Sequence, residues 1–166
     1  MIDVSFLLTK FDRAIAQGTA PDSAFVALQR FTESLVGVKL FTIMTVDMHA
    51  ELARRAFSSN PTAYPVSGTK PITYNDWFSV VHKERRPFVA NTIEDIAKVF
   101  PDHELIHSLG CASVINLPVV IADELVATVN ILHEAQYYTP ERVQLFATHG
   151  SLPAKLAYLA AARSKS

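Results

Sequence analysis

One short segment of the chain has the spacing of a metal site: residues 103–107 read His-Glu-Leu-Ile-His. In zinc hydrolases this pattern places two imidazoles one helical turn apart on the metal, and the glutamate activates the attacking water. Helical geometry would turn His103 and His107 toward solvent here, because the apolar residues of the segment centre on the opposite side. No third ligand stands at a convincing spacing. A metal site at His103 and His107 is therefore kept as an alternative.

The single cysteine, the single tryptophan and a pair of arginines are the other residues with distinctive chemistry. Cys111 precedes a predicted strand in apolar surroundings, which favours a buried and inert thiol. A lone cysteine also fits a reducing compartment. Trp77 could stack on a planar ligand, although an aromatic side chain in a short helix more often fills the core. Arg54 and Arg55 must face opposite sides of a strand, so one of them could look toward a cavity.

Composition indicates one globular domain, which we predict to span residues 1–166. The chain carries 15 Lys plus Arg against 16 Asp plus Glu, and 49% of its residues are hydrophobic. A formal net charge of −1 gives no basic field for phosphate backbones and argues against nucleic-acid binding as the main role. The N-terminus lacks the basic residues of a signal peptide, and the longest apolar runs are too short to span a bilayer. We expect a cytoplasmic protein without membrane association.

Hydrophobic periodicity divides the chain into a helical start, a strand-rich middle and a helical end. Apolar residues recur at helical spacing over 3–17 and again after a helix-start cluster at 19–22, so two helices are predicted within residues 3–36. From residue 38 to residue 46 the pattern becomes that of a strand covered on both faces, and residues 51–58 form a second strand. Two helices therefore precede the first pair of strands.

The sheet and pocket region is predicted to extend over residues 38–133 and to contain an irregular loop. Prolines and a glycine punctuate residues 58–71, which is typical of a binding loop or lid. Short helices are predicted at 74–83, at 93–100 and between Pro101 and Gly110, and residues 88–90 form a brief strand.

Two β-rich runs, 113–121 and 124–132, are joined by a tight turn and predict an antiparallel hairpin. Asn116 lies among apolar residues of the first run, where it satisfies backbone groups or borders a pocket. A final helix over 140–162 repeats apolar residues at alternating spacings of four and three. Strand pairs in the middle and helices at both ends indicate an antiparallel sheet of the α+β class.

At this hairpin the residues resemble those of GAF domains. Gly110 and Ser113 precede a strand that ends in Pro118-Val119, and a tight turn leads to a second strand over 125–132. An acidic helix start follows at 139–141. The resemblance implies a GAF/PAS-like central antiparallel β-sheet in an α+β fold. Its terminal helices would pack on one face of the sheet, and short helices and loops would cover a pocket on the other.

The resemblance also implies where a pocket wall would lie, assigned by element because no ligand motif is matched. The expected pocket residues are Tyr64, Trp77, Phe78, Asn91, Thr92, Asp95, Cys111, Ser113 and Asn130. Cyclic-nucleotide-binding members carry an Asn-Lys pair where this chain has Asn130-Ile131, which argues against that ligand. Members that reduce free methionine sulfoxide use several cysteines, and bilin-binding members attach the chromophore to an accessible one. The sequence therefore names no cofactor.

The leading hypothesis is a sensory or regulatory domain that binds an unidentified small molecule and signals through its terminal helices to a separate output protein. The family also commonly forms homodimers through these helices, and the seam from Leu145 to Leu159 could serve; the same seam could simply pack on the sheet. Two alternatives remain: a metal-dependent hydrolase built on His103, Glu104 and His107, and a structural dimerisation module without ligand. The sequence leaves the question of enzymatic activity open and favours a non-enzymatic role.

Overall fold

Six strands form one antiparallel sheet in the computed structural model of the chain, which describes residues 1–164. The strands are β1 (Leu40–Asp47), β2 (Leu52–Ser58), β3 (Lys70–Pro71), β4 (Phe88–Ala90), β5 (Ser113–Ile121) and β6 (Glu124–His133). Their order across the sheet is β3-β2-β1-β6-β5-β4. The predicted domain ends at residue 166, and its last two residues lie outside the described residues.

Three long helices and three short ones flank the sheet. They are α1 (Val4–Gln17), α2 (Ser23–Val36), α3 (Asp76–Phe78), which continues as a π-helical turn (Ser79–Lys83), α4 (Ile93–Ala97), α5 (His103–Ser108) and α6 (Pro140–Arg163). Side chains cap the first and last of these helices: Asp3 accepts the Phe6 N–H, and Thr139 accepts the Arg142 N–H. Pro140 occupies the first turn of α6, where a missing N–H costs nothing.

One face of the sheet carries the main core and is covered by the terminal helices. Phe41 and Ile43 of β1, with alternate residues of β5 and β6, pack there against α1, α2 and α6. The apolar side chains of α2 and the small residues of α6, including Ala154 and Ala157, let the helices approach the strands closely. This layer confirms the predicted placement of the terminal helices on one face.

The opposite face is covered by α3, α4, α5 and the connection between β2 and β3. Two smaller apolar clusters lie between these segments and the sheet, one around Ile96 and Val114, the other around Trp77 and Leu125. The predicted α+β arrangement, with short helices and loops opposite the terminal helices, is confirmed. No helix within residues 1–164 is long and apolar enough to cross a membrane.

Local structure differs from the sequence-based expectation in two places on this face. The helix predicted over 93–100 ends at Ala97, because a residue before proline is disfavoured in the helical region and Phe100 precedes Pro101. The loop predicted over 58–71 contributes a two-residue edge strand, β3, whose Lys70 pairs with Ala53 of β2. Both differences bring side chains to one cavity.

Candidate ligand-binding cavity

A cavity of about 390 Å³ lies between the uncovered face of the sheet and the segments above it. This volume falls within the range of small-molecule sites, roughly 300–1,000 Å³. Apolar and aromatic side chains make up most of the wall, with a few polar groups among them. Its floor comes from β1, β2, β5 and β6 and includes Thr42, Met44, Arg55, Asn116 and Asn130. The cover supplies Tyr64, Lys70, Trp77, Phe78, Phe100 and Asp102.

A chain of hydrogen bonds crosses the floor of the cavity. Trp77 Nε1 donates to Asn116 Oδ1 at 2.9 Å, and Asn116 Nδ2 donates to Asn130 Oδ1 at 2.7 Å. Asn130 Nδ2 then donates to Thr42 Oγ1 at 3.1 Å and to the Thr128 carbonyl at 3.5 Å. The indole N–H can only donate, so Trp77 fixes the orientation of both amides and the direction of the whole chain.

A β-bulge in the hairpin brings the two asparagines together. At the turn Ile121 pairs with Glu124, a register that would place Asn116 opposite Val129 if it continued. The register shifts by one residue between Val119 and Val120, and Asn116 therefore lies opposite Asn130.

A second bulge, in β2, turns Arg55 toward the cavity. Ile43 pairs with Phe57 and Met44 pairs with Arg55, so Ala56 is the extra residue between the two registers. Phe57 packs on the helix-covered face, and in an unbroken strand Arg55 would share that face. The bulge instead gives Arg55 the face of Met44, where it lines the cavity.

Three contacts hold the Arg55 guanidinium at the mouth. Its Cζ lies 3.6 Å from the centroid of the Tyr64 ring, its Nη1 donates to the Pro65 carbonyl at 2.8 Å, and its Nη2 lies 3.5 Å from Asp102 Oδ2. The Tyr64 hydroxyl donates to the same carboxylate oxygen. Burial, reinforced by Asp102, raises the pKa of Tyr64 above its usual value, so the phenol stays protonated and acts as a donor.

Aromatic rings form the wall above the amides. Trp77 packs against Phe78 and Phe100, with ring centroids 6.1 Å and 5.7 Å apart. Phe100 also meets Phe88 edge-to-face at 6.3 Å. Edge-to-face and tilted contacts leave ring faces available for an apolar ligand body.

Four of the nine expected pocket residues line this cavity: Tyr64, Trp77, Phe78 and Asn130. The other five lie outside its lining: Asn91, Thr92, Asp95, Cys111 and Ser113.

Hydrogen bonds to backbone explain three of the residues outside the lining. Asn91 Nδ2 donates to the Tyr138 carbonyl and Asn91 Oδ1 accepts the Tyr138 N–H, which fastens β4 to the start of α6. Ser113 donates to the carbonyls of His133 and Glu134. Thr92 is the N-cap of α4.

The remaining two residues have an ion pair and a packed position. Asp95 forms an exposed ion pair with Lys98, which lowers the pKa of the Asp95 carboxyl. Cys111 is fully buried in the cluster around Ile96, and this burial raises the pKa of its thiol. A protonated, buried thiol is a poor nucleophile.

The His-Glu-Leu-Ile-His segment forms α5 at the edge of the cavity. His107 is exposed, whereas His103 is half-buried, with its Nδ1 3.1 Å from the Phe100 carbonyl. Residues 1–164 contain no group of three or more His, Cys, Asp or Glu side chains that could hold a metal ion. Ile106 is buried as the helical pattern predicts, whereas Leu105, expected on the same apolar side, is 40% exposed.

Sequence reasoning left several residues of the cavity unassigned. Thr42, Phe100 and Asp102 line it without any sequence signal that separates them from ordinary strand and loop residues. Asn116 did carry a signal, because it is a polar residue within an apolar strand. Arg55 carried one as well, because Arg54 and Arg55 were expected to face opposite sides of their strand. The cavity position of Arg55 and the pairing of Asn116 with Asn130 depend on the two bulges, which no local pattern predicts.

No protein-family model matches the sequence, and no curated protein matches it either. Solved structures do match its fold. The GAF domain of an Acinetobacter phosphoenolpyruvate-protein phosphotransferase has a TM-score of 0.70 at 11% identity, covering 98% of each chain. The GAF domain of a Bacillus halodurans two-component sensor histidine kinase has a TM-score of 0.66 at 12% identity, covering 86% of this chain and 97% of that one.

A third match is the free methionine-R-sulfoxide reductase of Neisseria meningitidis in complex with its substrate. Its TM-score is 0.63 at 14% identity, and the match covers 97% of this chain and 91% of that one. The chain therefore has the fold of GAF domains, as the hairpin residues indicated. At these identities the likeness shows the fold alone, and the function must be argued from the cavity.

Proposed function

We propose that this protein is a sensory or regulatory domain that binds a small organic molecule in the cavity and transmits occupancy through its terminal helices. One observation carries the proposal: an apolar cavity with a directed chain of buried amides lies on one face of a sheet whose other face holds α1, α2 and α6. Concave apolar sites with a few convergent polar groups are the usual form of ligand pockets.

The sheet offers a short mechanical path between the two faces. Asn116 lies between Ile115 and Leu117 in β5, and both of these neighbours pack in the core beneath the terminal helices. A ligand that moves the amide of Asn116 also moves the strand segment against which Gly150 and Phe146 of α6 pack. Tightly packed cores transmit such displacements because they contain few voids.

The similar solved structures support a regulatory role without naming a ligand. One of them is the GAF domain of a two-component sensor histidine kinase. Another is a reductase bound to its substrate, which shows that this fold can hold a small molecule. In this chain the only cysteine is buried, so the proposal involves no thiol chemistry.

The proposal includes a homodimer formed through α6, in which exposed leucines support the pairing. Leu152, Leu156 and Leu159 are 76%, 42% and 51% exposed and follow one another at spacings of four and three. Such a seam is the pattern of helices that pack on a second helix. A single domain over residues 1–166, a cytoplasmic location and a separate output protein complete the proposal.

Native mass spectrometry of freshly purified protein tests ligand binding, since one spectrum reports the subunit number and any copurified molecule. The matched variants are Ala53→Phe, which places a ring in the cavity, and Ala50→Phe, which makes the same change in the exposed turn before β2. We expect an organic adduct in the wild type and in Ala50→Phe, and none in Ala53→Phe.

The fluorescence of Trp77 provides a second measurement, because the only tryptophan lines the cavity. We expect a ligand to change its emission in the wild type and in Ala50→Phe but not in Ala53→Phe. A wild-type protein that carries no adduct, and whose emission no compound of a broad small-molecule library changes, would overturn the proposal.

A further inference from the structure

The fixed direction of the amide chain leaves two hydrogen-bond donors free at the floor of the cavity. Thr42 Oγ1 accepts the last bond of the chain, so its own hydroxyl hydrogen remains to be donated. Asn116 is 2% exposed and uses one of its two amide hydrogens on Asn130. Neither hydrogen has a hydrogen-bond acceptor within residues 1–164, and both groups line the cavity.

Two cationic side chains lie at the mouth of the cavity. Arg55 contacts the cavity with a guanidinium that is only loosely bound to Asp102, at 3.5 Å. Lys70 lines the same mouth from β3, and its side chain has neither an ion pair nor a hydrogen bond among residues 1–164. The acidic side chain of the lining, Asp102, already accepts from Tyr64 and Arg55 through its Oδ2.

We infer that the cavity takes a small organic carboxylate with an aromatic or otherwise apolar body. The carboxylate binds Arg55 and Lys70 at the mouth, and an acceptor atom of the ligand meets the Thr42 hydroxyl or the Asn116 amide at the floor. This inference rests on the proposed function and adds the chemical class of the ligand to it.

The planar fork of Arg55 favours a carboxylate over a neutral group. A guanidinium binds a carboxylate through two parallel N–H···O bonds, and charge-assisted bonds are about twice as strong as neutral ones. Tyr64 stacks on the guanidinium and keeps one of its faces dry. The carboxylate would replace Asp102 as the partner of Arg55 at Nη2, the longest of its three contacts.

The aromatic wall determines the other half of the ligand. Trp77, Phe78 and Phe100 form a continuous apolar part of the cavity wall. A ligand without an apolar body would leave the apolar lining of the cavity in contact with water, and the burial of apolar surface contributes most of the affinity of such sites.

A matched series of three probes tests the inference on the full chain. Phenylacetate, phenylacetamide and phenethylamine share a ring and a chain length but carry a negative, a neutral and a positive group. Binding is measured from Trp77 emission and, independently, from ligand-observed NMR. We expect phenylacetate to bind about tenfold more tightly than phenylacetamide, and phenethylamine not to bind. Added salt should weaken the binding of phenylacetate alone.

Three variants and one control assign the preference to residues. Lys70→Met and Arg55→Met should each bring the affinities for phenylacetate and phenylacetamide close together, and Thr42→Val should leave the ratio of the two affinities unchanged, because each probe has its only acceptor group at the mouth. Thr45→Val makes the same change on the opposite face of β1 and should leave all affinities unchanged. The Lys70 side chain is exposed and forms no ion pair or hydrogen bond with the described residues. Lys70→Met therefore remains informative if Arg55→Met fails to fold.

The possible failures are distinguishable from one another. If phenylacetamide or phenethylamine binds the wild type as tightly as phenylacetate, the carboxylate inference is wrong and the cavity still binds ligands. If Lys70→Met and Arg55→Met both keep the full preference for phenylacetate, the carboxylate binds elsewhere and the inference is again wrong. If none of the three probes binds, the inference is wrong, and the proposed function fails with it only if the wild type also carries no adduct and no library compound changes the emission of Trp77.

Discussion

Trp77 Nε1 donates to Asn116 Oδ1 across 2.9 Å, and this single bond ties a helix that covers the cavity to the centre of the sheet. Both side chains are more than nine-tenths buried. Because the bond starts from a group that can only donate, it also determines which atoms of Asn116 and Asn130 face each neighbour. The contact therefore stabilises the fold and also determines which donors remain free at the floor of the cavity.

We predict a strong energetic coupling between Trp77 and Asn116. Replacing Asn116 with Leu leaves the indole N–H buried without an acceptor and should lower the free energy of unfolding by about 2 kcal/mol. In the double variant with Trp77→Phe the orphaned donor is gone, so the combined loss should be smaller than the sum of the single losses. Urea denaturation of the four proteins measures the coupling, and additive losses would contradict it.

The pH dependence of stability should report the environment of His133. Its imidazole stacks on the Tyr137 ring at 3.5 Å between centroids. Desolvation lowers the pKa of His133; Lys39 and Arg142 act in the same direction, and Glu134 opposes them. The unfolded chain therefore takes up this proton first, near pH 6.5. The contribution of the neutral imidazole to the free energy of unfolding is therefore complete above about pH 6.5. It is lost as the pH falls from there through the lower pKa of the folded protein.

The variant His133→Phe keeps a ring against Tyr137 and removes the titrating group. We expect the urea midpoint of the wild type to decrease as the pH is lowered from 8 to 5, and that of the variant to decrease less. Equal slopes in the two proteins would assign the pH dependence to other groups.

The sequence predicted the sheet and helices well because their signals are local. A β-rich apolar run and a two-residue turn delimited β5 at 113–121, the range found in the structure. Ala122 and Asp123 both have positive φ, as a tight hairpin turn requires. The terminal helices were likewise predicted by apolar residues at helical spacing, and Asp3 and Thr139 cap them.

The candidate site was harder to predict because strand register and side-chain satisfaction are not local. Asn91 and Ser113 stood at expected pocket positions, yet their hydrogen bonds go to backbone groups. Arg55 reaches the cavity face, and Asn130 lies opposite Asn116, only because each of the two strand pairs contains a one-residue bulge. A bulge leaves no mark in hydrophobic periodicity that distinguishes it from an unbroken strand.

The oligomeric state should depend on the exposed leucines of α6. Leu152→Glu places a charge in the proposed seam, and Leu105→Glu makes the same change at an exposed leucine of α5. We expect the wild type and Leu105→Glu to sediment as dimers and Leu152→Glu as a monomer with unchanged circular dichroism. A wild type that is monomeric across the accessible concentration range would refute the dimer.

Two threonines on the cavity face of neighbouring strands should respond in opposite ways to the same substitution. Thr128 is fully buried and its Oγ1 has no hydrogen-bond partner within residues 1–164, whereas Thr42 Oγ1 accepts from Asn130. Thr128→Val removes an unsatisfied hydroxyl without changing the shape of the side chain, so it should raise the free energy of unfolding by about 1 kcal/mol. Thr42→Val should lower it. Thermal and urea denaturation test both signs, and a loss of stability in Thr128→Val would reveal a hydroxyl partner.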